Sequence, residues 1–146
     1  KHGIYTKEEI EARAEIHIEN YSVVISIEAK TMVDMIRHQI LPAVSRYASD
    51  LCQRAASKDG MGVACKYETS TAKEIGKLTD TLLSACDKME QDLEKMPADS
   101  KKAMDYCHQT IIPDMAEARE AADQLETLTD SKYWPFPVYS DLLFSV

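Results

Sequence analysis

The chain has 146 residues, the length of one ordinary domain, and a chain of that size can bury about two thirds of its unfolded surface. Apolar residues make up 45% and charged residues 29%, which excludes wholesale disorder, and 4 Gly with 5 Pro are too few turn-formers for a sandwich or barrel. A net charge of -8, from 25 acidic and 17 basic residues with no basic cluster, argues against nucleic acid and anionic membranes as partners, and no apolar run approaches the roughly eighteen residues of a membrane span.

The first helix opens at Thr6-Lys7-Glu8-Glu9, a capping box in which the hydroxyl accepts from the third helical amide and the glutamate reaches back. Apolar residues then recur at Ile18, Tyr21, Ile25, Ala29, Met32, Ile36, Ile40, Ala43, Tyr47 and Leu51, in steps of three and four. Val24, Ile27, Met35 and Val44 widen that stripe. The pattern predicts one helix over 6–56, roughly 75 Å long. Pro42 lies inside it, removes one backbone bond and presses on the carbonyl four residues back, so a kink or break is expected there. The stretch Lys58-Asp59-Gly60-Met61-Gly62 reads as a loop.

A second helix is predicted over 70–96, capped by Thr71-Ala72-Lys73-Glu74, and ending before Pro97. A third follows over 99–130, capped by Asp99 or Ser100, with Pro113 as a second kink. The expectation is an all-α fold: a three-helix, antiparallel up-down-up bundle over 1–131 with a long, Pro-kinked first helix. The early part of that helix overhangs its neighbours and carries Ile10, Ile16, Ile18 and Tyr21, which need cover. Residues 132–146 form an extended aromatic and proline tail, in which Trp134, Phe136, Tyr139, Leu142, Leu143 and Phe144 are the candidate docking residues. Burying the Trp, the two Phe and the two Leu among them would contribute on the order of 10 kcal/mol before ordering costs. The tail docks on its own bundle or on a neighbouring domain.

The residues that could carry chemistry are sparse. A di-metal bundle site needs two Glu-x-x-His pairs. The nearest approach is a single Asp105-Tyr106-Cys107-His108, with Glu28 close to the buried stripe of the first helix. His2, His17, His38 and His108 have no setting that marks a ligand or base, and Cys107 and His108, adjacent on a helix, point about 100° apart. Cys52, Cys65, Cys86 and Cys107 form no C-x-x-C and read as free thiols in a reducing cytoplasm, with no secretory leader at the start. Met32, Met35, Met89 and Met115 either fill the core or line an adaptable groove. Catalytic, cofactor-binding and metal residues are expected to be absent from this chain, which starts without Met and reads as part of something longer.

Two stretches carry a resemblance. Arg13-Ala14-Glu15-Ile16-His17-Ile18-Glu19-Asn20-Tyr21, continuing through Ile27-Glu28-Ala29-Lys30-Thr31-Met32 to Ile40-Leu41-Pro42-Ala43, resembles the start of the C-terminal helical region of type III glutamine synthetases. Trp134-Pro135-Phe136-Pro137-Val138-Tyr139 with Leu142-Leu143-Phe144 is similar to that family's extreme C-terminus, and Ile111-Ile112-Pro113 also fits. The resemblance implies a bacterial-type parent ligase that joins ammonia to glutamate with ATP and Mg or Mn. It implies a non-catalytic, structural role for this part, with the catalytic domain and the neighbouring subunits of a homo-oligomer as partners. A free-standing helical interaction module is the alternative.

Overall fold

The computed structural model describes residues 5–137 and Leu143. Within them the chain is helical, in three long runs with no strand. The first run comprises α1 (Lys7–Met35), a five-residue π turn (Ile36–Ile40) and α2 (Leu41–Gly60). The second is α3 (Lys66–Glu94). The third comprises α4 (Ser100–Tyr106), a second π turn (Cys107–Ile111) and α5 (Ile112–Leu128).

Each π turn ends two residues before a proline, Ile40 before Pro42 and Ile111 before Pro113. A proline offers no amide to the carbonyl four residues back, and its ring crowds that carbonyl. A wider turn moves the carbonyl aside. The amide of Leu41 bonds Ile36 O, and the amide of Ile112 bonds Cys107 O, five residues back in both cases. Helical bonding then resumes beyond Pro42 and Pro113, so neither proline ends its run.

The capping box at Thr6 is present: Thr6 Oγ1 accepts from the Glu9 amide at 3.2 Å, and Glu9 Oε2 accepts from the Thr6 amide at 2.8 Å. Asp99 caps α4 by accepting from the Lys102 amide at 3.0 Å. The first run continues to Gly60 rather than residue 56. It stops in a Schellman motif. The Gly62 amide bonds Asp59 O at 2.9 Å and the Val63 amide bonds Lys58 O at 2.8 Å, with Gly62 at φ 72, a conformation that other residues adopt at a cost.

The second helix corrects the expected start. It begins at Lys66, not near residue 70, and Thr71 is buried inside it rather than capping it. A tertiary contact decides the point: Glu68, in the first turn, is buried and bridged by Lys58 from α2. The pattern Thr-x-x-Glu arises inside helices as readily as at their ends, and here packing overrides it.

The core lies where α2, α3 and α5 meet, with Val44, Leu51, Ile75, Leu82, Ile111 and Leu125 all fully buried. Side-chain contacts between the first two runs join Arg37 to Glu90, Tyr47 to Tyr67 and Lys58 to Glu68. Those between the second and third join Lys88 to Glu117 and Tyr106 to Asp92.

Helix α1 departs from the expected stripe. Its buried positions are Ser22, Ser26, Ala29 and Val33. Val24 and Ile27, expected to widen the core face, are about half exposed, at 50% and 58%. Small residues let the third run approach closely: Cys107 Sγ lies 4.0 Å from Ser22 O, and Ser22 Oγ satisfies itself on Ile18 O at 3.3 Å.

Replacing Leu82 by Ala is expected to cost about 2–5 kcal/mol, and Ile27 by Ala less than about 0.5 kcal/mol. Urea unfolding of the two variants checks the contrast.

Candidate functional site

The segment after α5 is rich in aromatic residues, and its first part folds back on the bundle. Asp130 turns the chain: its carbonyl accepts from the Tyr133 amide at 2.8 Å, and its Oδ1 accepts from the Lys132 amide at 2.9 Å. Tyr133 lays its ring against Tyr47, centroids 5.2 Å apart, and donates to Asp50 Oδ2 at 3.1 Å. That carboxylate raises the Tyr133 phenol above its usual value, and it is also held by Arg54 at 2.7 Å.

Trp134 is buried in the core cluster, and Phe136 packs edge-on to it at 6.1 Å, half-buried. Leu143 is exposed. Tyr139, Leu142 and Phe144 lie outside the described residues. The Tyr47–Tyr133–Asp50 contact was not expected; only the position of Tyr133, beside Trp134 and five residues past Leu128, hinted at it.

Met32, Met35 and Met115 come together along a groove of about 480 Å³ between α1 and α5, with Ile27, Ala118 and Ala122. Met89 does not join them; it is fully buried in the core. The candidate metal residues are not gathered. Glu28, Asp105 and His108 are all exposed, and among the described residues no three His, Cys, Asp or Glu side chains are placed to hold one ion. Glu28, Asp105 and His108 do not fit a metal centre. His17 is exposed, and His38 sits 3.5 Å from Asp34 on the surface. His2 lies outside the described residues.

The four cysteines are free. Burial pushes the Cys86 and Cys107 thiols up, away from the reactive thiolate.

Carboxylates pin the helices together at three places. Arg37 bridges Glu90 and Asp87 of α3, the latter at 2.7 Å, and both raise its already high pKa. Lys58 holds the Glu68 carboxyl below the usual carboxylate range. Lys88 reaches from α3 to two residues of α5, Asp114 at 2.9 Å and Glu117 at 3.1 Å, and these push its ammonium up to about 12. Asp114 is almost fully buried, and its Oδ2 has no hydrogen-bond partner. Sequence alone hid this residue, because nothing in the helical pattern of 99–130 brings Lys88 of another helix against it.

These features define an all-helical bundle domain whose polar contacts join helix to helix. Residues 1–59 match the glutamine synthetase C-terminal domain family. A glutamine synthetase of Butyrivibrio fibrisolvens is 35% identical over 150 residues, taking in 100% of this chain and 21% of that protein. The type-3 glutamine synthetase of Dictyostelium discoideum is 28% identical over 97% of the chain and 20% of its own length. A glutamine synthetase of Bacteroides fragilis (strain YCH46) is 27% identical over 97% of the chain and 21% of its own length. The family match covers residues 1–59, the similarity to these glutamine synthetases runs along nearly the whole chain, and the chain spans about a fifth of their length.

Two tests follow from the ion pairs. Lys88→Met leaves the Asp114 carboxylate buried without its cation and should lower Tm; adding Asp114→Asn in the same chain should restore part of the loss, by removing the stranded charge. The Glu68 carboxyl, lowered in the folded state, contributes stability above the ordinary carboxylate range that is lost as pH falls through its folded value. Lys58→Met should therefore lower Tm at pH 7 more than at pH 3, in thermal melts run across that range.

Proposed function

We propose that this chain is the non-catalytic helical part of a cytoplasmic glutamate–ammonia ligase, with a structural and assembly role. Similarity to glutamine synthetases along the whole chain, against about a fifth of their length, is the observation that carries the reading. The parent reaction uses ATP and a divalent metal, Mg or Mn, to form glutamine, and the groups that bind them belong to the remainder of the ligase. What this chain supplies is a rigid body: an up-down-up bundle bent at Pro42 and Pro113. The helix-to-helix contact order and the two π turns support that form. Its partners are the catalytic part of the same polypeptide and the neighbouring subunits of a homo-oligomer. Trp134 and Phe136, buried or half-buried, support the tail's part in anchoring the chain end, with Tyr139, Leu142, Leu143 and Phe144 assigned to the same role.

A free-standing interaction module is the second reading, favoured by the groove of Met32, Met35 and Met115, since flexible thioethers suit varied partners. The test is an assay of ATP-dependent glutamine formation on both the 146-residue chain and the full-length gene product. Glutamine from the full-length protein alone is the expected result. Glutamine from the short chain, or from neither, would overturn the reading.

A further inference from the structure

Between Ile10 and Ile27 the polarity of α1 is reversed. Two serines, Ser22 and Ser26, face the bundle, while Ile10, Ile16, Tyr21, Val23, Val24 and Ile27 are exposed. At about 100° per residue, Ile16, Val23 and Ile27 fall within about 40° of one another, a straight strip along the helix. Val23 and Ile27 stand 49% and 58% exposed on it. Hollows flank this ridge, one of about 480 Å³ toward α5 and one of about 380 Å³ toward Pro97, and Ile27 lines both. A contiguous apolar strip left on the side of a helix that faces away from its own bundle marks a docking site.

The charges choose the occupant. Lys7 to Glu19 carries Glu8, Glu9, Glu11, Glu15 and Glu19 against Lys7 and Arg13. Two copies of α1 laid side by side in the same sense would set these acids against one another. In the opposite sense they would meet Glu28, Lys30 and Asp34, again without compensation. A complementary surface is apolar at its centre and basic at its rim.

The relatives hold about four fifths of their length outside the part that this chain matches, and the family match over residues 1–59 coincides with the helical run that carries the strip. Resting on the ligase reading above, we propose that the outer face of α1, centred on Val23 and Ile27, is the seat of the remaining part of the same ligase polypeptide. That part meets it with an apolar surface rimmed by Lys or Arg.

The test is photo-cross-linking in the full-length ligase, with a benzophenone amino acid incorporated singly at Val23, Ile27 or, as control, Val63 on the α2–α3 loop. All three positions are about half exposed in this chain, so the probe does not enter the core. The expected result is a cross-linked product of single-subunit mass whose partner peptide lies outside this 146-residue stretch. Its yield at Val23 and Ile27 should exceed that at Val63 by about tenfold, since an interface core packs like a protein interior. A product of two-subunit mass, a partner peptide within residues 138–146, or a yield no higher than at Val63 would overturn the proposal. Glutamine formation by the same samples decides the ligase reading separately, so the two ideas fail independently.

Discussion

The organisation of this domain depends on a mismatch of length. The first helical run extends from Lys7 to Gly60, about 80 Å at 1.5 Å per residue, whereas α3 has 29 residues and about 44 Å. Two helices of such unequal length cannot cover each other. The half of the run that meets α3 and α5 builds the core, with Val44, Tyr47 and Leu51 buried. The other half packs mainly on α4 and the second π turn, through Ser22 and Ser26, and leaves Ile10, Ile16, Val23, Val24 and Ile27 exposed. Stability is therefore concentrated at one end of the rod and unspent apolar surface at the other.

Local chemistry keeps the long rods intact. Pro42 and Pro113 would each break an ordinary α-helix, yet in both places the chain widens by one residue and continues. The common sequence context, Ile40-Leu41-Pro42 and Ile111-Ile112-Pro113, buries the residue that closes the π turn, Ile40 or Ile111. Burial of that side chain holds the wide turn in place, so the packing of the core and the path of the backbone at the prolines are one feature. Ion pairs then fix the faces that the helices present. Arg37, Lys58 and Lys88 each join two helices, and each meets a carboxylate that a shifted helix would strand.

Much of this is legible in the chain itself. The period of three and four from Ala29 to Leu51 marks the core face of the first run, and Thr6 and Asp99 mark two helix starts by their side-chain bonds. Thr71 carries the same signal falsely, because the pair of Lys58 with the buried Glu68 draws the helix start back to Lys66. Such a pair joins residues ten apart across a loop, and no periodicity reveals it. The inward Ser22 and Ser26 are hidden for a related reason: hydrophobic periodicity picks the apolar face as the buried one, and in α1 Val23, Val24 and Ile27 stand exposed instead. Asp114 is invisible until Lys88 is brought across from another helix. Among the aromatic tail residues, Trp134 and Phe136 show in sequence as sticky, and the neighbouring Tyr133 finds Tyr47 and Asp50 only once the helices are packed.

If polypeptide beyond this domain completes α1 over residues 10–27, those residues should be protected in the full-length protein and not in the isolated chain. Hydrogen exchange, followed peptide by peptide, tests it most directly by comparing the isolated chain with the full-length protein. In the isolated chain, amides around residues 10–27 should exchange far faster than those around Ile75 to Met89, because few contacts hold that end of the rod. In the full-length protein the two regions should be protected alike. Equal protection of residues 10–27 in both samples would contradict the account, since it would mean that the exposed face of α1 needs nothing to cover it.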